Sequence, residues 1–153
     1  MAKINGYVLY YKNNEPMYSA EITFNSKYKT TANEKGYFEL FVPKKVLKLK
    51  LKVTFIGCFT INFINLPIDE DQIDLDTIPM FEYFPGYDMT HFDCPPDDLE
   101  CQKKEKQHQI QENQRIQDYY STVNKSITTY IYTFKGNTYP INCKTGNIDL
   151  RKR

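Results

Sequence analysis

The chain has 153 residues, with 20 lysines and arginines against 19 aspartates and glutamates, and a formal net charge of +1. A length of about 150 residues is typical of one domain with its own hydrophobic core. The near-zero charge argues against a protein that coats nucleic acid or an anionic membrane. With 13 tyrosines, 10 phenylalanines and no tryptophan, the composition favours strands and contact surfaces.

The first part of the chain, residues 1–79, alternates between apolar and polar side chains in short runs separated by turn residues. This alternation predicts strands. The expected strands are 4–11, 20–24, 28–31, 37–42, 46–53, 59–64 and 73–78. Gly36 lies in the turn before the fourth strand, where positive φ is required. Seven short strands at this spacing predict an antiparallel sandwich.

Three segments of this region follow a known pattern. They are Gly6-Tyr7-Val8, then Glu15 to Ile22, then Thr30 to Leu40. In this order they resemble the carboxypeptidase regulatory-like domain family, whose pattern is roughly G-x-V, a P-x-x-x-A-x-V strand and T-x-x-x-G-x-F. The resemblance covers residues 4–79 and implies a transthyretin-like (prealbumin-like) sandwich. It implies no activity, because such modules lie beside many unrelated activities.

Residues 80–96 form an irregular connector that is rich in proline, aspartate and aromatic side chains. Aromatic residues in a loop ordered by prolines are good anchors for a protein partner. The alternative is that they cap one open end of the sandwich. The connector residues expected to bind a partner are Tyr83, Phe84, Tyr87, Met89 and Phe92.

One long helix is predicted over residues 97–125, which contain neither glycine nor proline. The prolines and acids just before it suit a helix start, because free N–H groups of a first turn favour negative charge. Two interpretations stay open: a solvated helix that projects from the domain, and an arm that packs on a partner or on another copy. The helix residues expected at a partner contact are Ile110, Ile116, Tyr119 and Tyr120.

The last part of the chain predicts a β-hairpin, with strands at 127–134 and 138–142 and a further strand near 147–150. The expected organisation is a sandwich over 1–79, the connector over 80–96, and an appendage of helix plus hairpin over 97–153. The fold class is therefore predicted as mainly β: a seven-stranded antiparallel transthyretin-like sandwich with a C-terminal long helix and hairpin.

The cysteines allow several states. Cys58 lies in an apolar strand and is expected as a buried thiol. Cys94 and Cys101 flank a pair of prolines, so a local disulfide is expected if the protein is exported. Together with His91 and His108 they supply four zinc-type ligands, but the C-x2-C clasp is missing. This set is a weak metal candidate, and we expect no metal and no cofactor.

Catalytic patterns are absent from the sequence, and we expect no enzyme. Neither histidine belongs to an H-x-x-E pair, and there is no G-x-S-x-G elbow or phosphate loop. The acidic run 69–76 lacks the glycine and spacing of a calcium loop. A set of lysines is expected to form one water-facing edge, with complementarity to an acidic partner as the alternative; they are Lys44, Lys45, Lys48, Lys50 and Lys52.

These patterns predict a non-catalytic module for protein binding or structural assembly, as part of a bacterial envelope or a phage virion. The alternatives are an immunity-type inhibitor that occludes a toxin enzyme, and a carbohydrate-binding module. Expected partners are proteins, a large assembly or a second copy, without nucleic acid. No run reaches the roughly 18 apolar residues of a membrane span. The localisation stays open: cytoplasmic or virion if Met1 is native, envelope if a leader was removed.

Overall fold

The computed structural model describes residues 1–44, 49–83, 88 and 90–151. Within them the chain forms ten strands and one helix. The elements are β1 (Ala2–Tyr10), β2 (Glu21–Phe24), β3 (Tyr28–Thr31), β4 (Tyr37–Val42), β5 (Lys50–Thr54), β6 (Ile61–Ile64), β7 (Gln72–Met80), α1 (Leu99–Thr129), β8 (Tyr132–Phe134), β9 (Asn137–Tyr139) and β10 (Asn147–Asp149). The predicted mainly β class with a long C-terminal helix is confirmed.

Two sheets form a sandwich. The three-stranded sheet has the order β4-β1-β7, and the five-stranded sheet has the order β10-β6-β5-β2-β3. Strand β4 shows why the sheets pack: Phe38, Leu40 and Val42 are buried, while the residues between them face outward. Because successive side chains of a strand point to opposite faces, each sheet contributes one apolar face to a common core.

Two strand pairs are parallel, which corrects the expectation of antiparallel pairing throughout. Strand β1 runs parallel to β7, with Ile4 opposite Ile73, and β10 runs parallel to β6, with Ile148 opposite Phe63. The physical reason is sequence distance. Strands joined by a tight turn must be antiparallel, whereas strands joined by a long connection need not be.

The turn at Gly36 agrees with the sequence. Its φ is +77°, and a Cβ atom there would press against the carbonyl oxygen of Val8. Glycine avoids both the conformational cost and the contact. The strand expected at 46–53 is β5, which begins at Lys50. Val46, Leu47 and Lys48 lie outside the described residues.

The C-terminal hairpin of β8 and β9 closes one side of the sandwich. Tyr132, Phe134, Tyr139 and Ile141 are buried with the core. The first hairpin strand begins at residue 132 and not at 127, because α1 continues to residue 129. Strand β10 is the expected last strand, and it lies at the edge of the five-stranded sheet. No helix among the described residues is long and apolar enough to cross a membrane.

Candidate functional site

Several hydrogen bonds join the N-terminus of helix α1 to the end of the connector. The carboxylate of Asp98, the N-cap, accepts a hydrogen bond from the backbone N–H of Cys101 at 3.0 Å. The side-chain amide of Gln102 donates to the carbonyl oxygens of Pro95 and Pro96 at 3.3 and 2.9 Å. A capping side chain satisfies an N–H that the helix itself leaves unpaired. The start of the helix is therefore fixed relative to the connector.

A disulfide also links the connector to the first turn of α1. Cys94 and Cys101 are bonded, with their Cα atoms 5.6 Å apart. Disulfide sulfurs are not the thiolates that zinc requires. Among the described residues, no group of three or more histidine, cysteine, aspartate or glutamate side chains could hold a metal. With Cys94 and Cys101 bonded to each other, the weak metal candidate of His91, Cys94, Cys101 and His108 lacks two of its ligands in this structure, and the expectation of no metal stays a prediction.

The remaining cysteines differ in exposure, and this predicts a thiol count. Cys58 is buried and Cys143 is half-buried. Burial, together with the charge of Glu82, raises the pKa of the Cys58 thiol to about 11. At pH 8 roughly one molecule in a thousand then carries the reactive thiolate. Titration with Ellman's reagent, without reductant, is expected to give one fast thiol per native chain and two after guanidinium unfolding.

Cys143→Ser is the matched control for this titration, and it should leave no fast thiol in the native state. Four thiols in guanidinium without reductant would contradict the disulfide. A second fast thiol in the native protein would contradict the burial of Cys58.

The connector also contacts the middle of α1 through polar groups. Nε2 of His108 lies 3.3 Å from Oδ2 of Asp88. The backbone N–H of Asp88 donates to the carboxylate of Glu112 at 3.3 Å, and Glu112 pairs with Arg115 one turn further. Hydrogen bonds from Thr90 lower the pKa of Asp88, and the bonded guanidinium lowers the pKa of Glu112. Both carboxylates are therefore charged at neutral pH.

The last third of α1 docks on the sandwich. Val123 and Ile127 are its buried side chains. The hydroxyl of Tyr119 donates to the carbonyl oxygen of Glu82 at 3.1 Å. Burial is the main cause that raises the pKa of Tyr119 to about 12. Tyr119 therefore keeps its proton at neutral pH and remains a hydrogen-bond donor.

The opposite side of α1 faces outward. With about 3.6 residues per turn, Leu99 and Ile110 lie on one side of the helix, and His108 and Tyr119 lie on the other. Leu99 is 75% exposed and Ile110 is 61% exposed. Both are large apolar side chains on a helix surface that is otherwise mostly polar. The outer helix face is defined here by Leu99, Lys103, Ile110 and Gln117.

The expected partner-binding residues occupy different environments. Tyr83 is exposed, with its ring 5.6 Å from that of Phe59. Phe92 is half-buried, with its ring 5.3 Å from that of His108. Ile110 and Tyr120 are exposed, whereas Ile116 and Tyr119 are half-buried. Phe84, Tyr87 and Met89 lie outside the described residues. The role of the set in partner binding stays a prediction.

A second surface, which the sequence pattern did not identify as a site, lies on the outer side of the five-stranded sheet. Two depressions of about 460 and 570 Å³ there share Glu21 and Thr54 in their linings. We call this surface the outer sheet face. Its defining residues are Tyr18, Glu21, Lys29, Lys50, Lys52 and Ile56.

The sequence identified only some of the residues on the outer sheet face. Lys50 and Lys52 belong to the lysine set expected to face water, and both are exposed. Lys29 lies on the same face because β2 pairs with both β3 and β5. This pairing of strands cannot be predicted from local sequence patterns. Lys44 pairs instead with Asp71. Lys45 and Lys48 lie outside the described residues.

Comparisons with known proteins assign no family. No protein-family profile and no curated protein matches the chain. Among solved structures it is similar to a type II cohesin–X-dockerin complex from Acetivibrio cellulolyticus carrying a C-terminal interface mutation. The identity is 16% and the TM-score 0.47, with 60% of this chain and 64% of that chain covered. For an N-terminal interface mutant of the same complex the identity is 19% and the TM-score 0.43, covering 54% and 58%.

A further similar structure is the 5-hydroxyisourate hydrolase of Klebsiella pneumoniae, at 14% identity and a TM-score of 0.34. The match covers 57% of this chain and 93% of that one. This chain spans less than two thirds of the cohesin–dockerin chains that it matches. Similarities of this size carry no argument about function. The predicted sandwich is confirmed by the strands themselves, and membership of the carboxypeptidase regulatory-like family stays a prediction.

Proposed function

We propose that the protein is a non-catalytic binding module that contributes to an assembly. The sandwich is the rigid frame, and the connector with α1 is the docking arm for a protein partner. One observation carries the proposal: α1 has 31 residues, but Val123 and Ile127 are its only buried side chains. A helix this polar gains little from the core of its own chain. Packing of a partner on the outer helix face would supply the missing contacts.

The attachment of the arm supports the same proposal. The disulfide and the Asp98 cap fix the start of the helix, and the pair of Asp88 with His108 holds its middle. Val123 and Ile127 anchor its end. An arm that is ordered before binding loses less conformational entropy when a partner docks. The outer helix face is thus presented in one defined direction.

Site-specific photo-cross-linking tests the proposal. A benzoylphenylalanine residue at Ile110, in the full chain expressed in its native source, is expected to give one discrete cross-linked species. The same residue at Lys144, an exposed turn position outside the connector and α1, is the matched control and should give none. Mass spectrometry of the product distinguishes the settings: a structural protein supports assembly, and a single toxin enzyme supports an immunity role.

No discrete product at either Ile110 or Gln117, or the same product at Ile110 and at the control position Lys144, would overturn the proposal. Gln117, which lies on the same face two turns further, provides a second position. It guards against a local geometry that is unfavourable for cross-linking.

Carbohydrate binding is a second candidate, favoured by the outer side of the three-stranded sheet. Tyr7 and Phe41 are exposed there, and the rings of Tyr7 and Tyr37 lie 5.0 Å apart. The Tyr37 hydroxyl donates to the carboxylate of Glu39 at 2.9 Å. Exposed aromatic rings beside hydrogen-bonding groups can stack on sugar rings. Binding on a glycan array that Tyr7→Ala abolishes would support this candidate, and an array without binding would exclude it.

A further inference from the structure

The outer sheet face holds three exposed lysines, Lys29, Lys50 and Lys52. Lys29 and Lys52 both lie opposite Thr23, on the strands either side of it, and Lys50 precedes Lys52 by two residues on β5. Strand spacing places the three positions within about 12 Å of one another. None of them forms an ion pair within the described part of the chain. Their mutual repulsion is relieved when an acidic group binds.

The other end of the outer sheet face is apolar. Ile56 is 95% exposed and Tyr18 is 59% exposed. Together with Phe55 they line the larger of the two depressions, and Glu21 and Thr54 join it to the depression beside the lysines. A matching ligand therefore carries acidic groups and an apolar side chain close together.

The chain itself presents such a segment at the start of α1. Asp93, Asp97 and Glu100 are exposed, and Leu99 between them is 75% exposed. None of these acids forms an ion pair with a described residue. The disulfide from Cys94 keeps the segment in place. We call this segment, Asp93 with Asp97, Leu99 and Glu100, the acidic corner.

We propose that the acidic corner of one copy docks on the outer sheet face of a second copy. Leu99 would pack against Tyr18 and Ile56, and the acids would face the lysines. This inference rests on the proposed binding function and names its partner as the same chain. Since the two surfaces differ, the contact is heterologous, and successive copies form an open chain or a ring. The net charge of +1 leaves little overall repulsion between copies.

A charge exchange tests the proposal on the full chain. The sheet variant is Lys50→Glu with Lys52→Glu, and the corner variant is Asp97→Lys with Glu100→Lys. Sedimentation velocity is expected to show concentration-dependent association of the wild type, weaker by about tenfold or more at high salt because screening acts on exposed charges. Each variant alone should associate at least tenfold more weakly than the wild type. Their equimolar mixture should associate again, because opposite charges then face each other.

The matched control is Lys125→Glu with Lys144→Glu. It makes the same change in net charge as the sheet variant, at two exposed lysines outside both surfaces, and it should associate like the wild type. Circular dichroism and thermal unfolding confirm that each variant is folded. None of the substitutions removes the Asp98 cap.

A wild type that stays monomeric up to its solubility limit at low salt would overturn the proposal. So would a mixture of the two variants that stays monomeric while both are folded. If the Ile110 cross-link to another protein persists in that case, only the second-copy contact is wrong. If that cross-link is missing as well, the proposed function itself fails.

Discussion

Replacing Tyr132 by alanine is expected to lower the free energy of unfolding by about 3–5 kcal/mol, the usual cost of removing a buried aromatic ring. Tyr132 is 1% exposed, and its ring centroid lies 5.2 Å from that of Phe63 on β6. Its hydroxyl donates to the carbonyl oxygen of Leu75 on β7 at 2.7 Å. One side chain of the hairpin thus contacts strands of both sheets, and its loss leaves a cavity between them.

Tyr132→Phe separates the hydrogen bond from the packing. The ring remains, but the carbonyl of Leu75 loses its buried donor, which costs about 1–2 kcal/mol. Thr133→Ala, at the exposed neighbouring position, is the matched control and should change stability by less than about 0.5 kcal/mol. Urea unfolding measures all three. A Tyr132→Ala variant with the stability of the control would show that the hairpin is a separate appendage.

The strands were predictable because alternation is a local property. In β2 and β4 the buried positions are apolar and alternate with outward ones, of which only Phe41 carries a large exposed apolar side chain. The structure begins and ends these strands within one residue of the expected bounds. The partners of the strands were not predictable in this way. The parallel pairs of β1 with β7 and of β6 with β10 join segments that are far apart in sequence, and only the closed core selects them.

The boundary between helix and hairpin shows a competition between local and tertiary effects. Ile127, Thr128 and Thr129 are β-branched, and such residues favour a strand. In the structure they form the last turn of α1, because Ile127 lies one turn after Val123 and both are buried against the sandwich. Packing of two side chains outweighs a difference in propensity of a few tenths of a kcal/mol per residue.

The candidate binding surfaces were predictable only in part. The long helix follows from the absence of glycine and proline, but its orientation does not. Few apolar residues mark its inner face, which is held in the middle by the polar pair of His108 with Asp88. The outer sheet face depends on register, since Lys29 and Lys52 become neighbours only through their shared partner Thr23. Register between distant strands is a tertiary property.

Gly146→Ala is expected to cost about 3 kcal/mol or more in the free energy of unfolding. Gly146 has φ of +72°, and a Cβ atom there would overlap the carbonyl oxygen of Thr60. Its N–H donates to the carbonyl oxygen of Asn142 at 2.7 Å, and its own carbonyl accepts from the N–H of Asn62 at 2.9 Å. An alanine must therefore shift backbone that is hydrogen-bonded on both sides, in addition to the conformational cost of positive φ.

Gly136→Ala supplies the matched control for this substitution. Gly136 has nearly the same conformation, with φ of +77°, but no atom lies within 4 Å of a Cβ built there. Its free energy of unfolding should fall by only about 1–2 kcal/mol, the cost of holding alanine at positive φ. The difference between the two variants in urea unfolding measures the close approach of the chain to Thr60. Because Gly146 precedes β10, hydrogen exchange in β6 and β10 should rise in Gly146→Ala alone. Equal effects of the two substitutions would mean that the chain at Gly146 does not approach the carbonyl of Thr60 as closely as the structure places it.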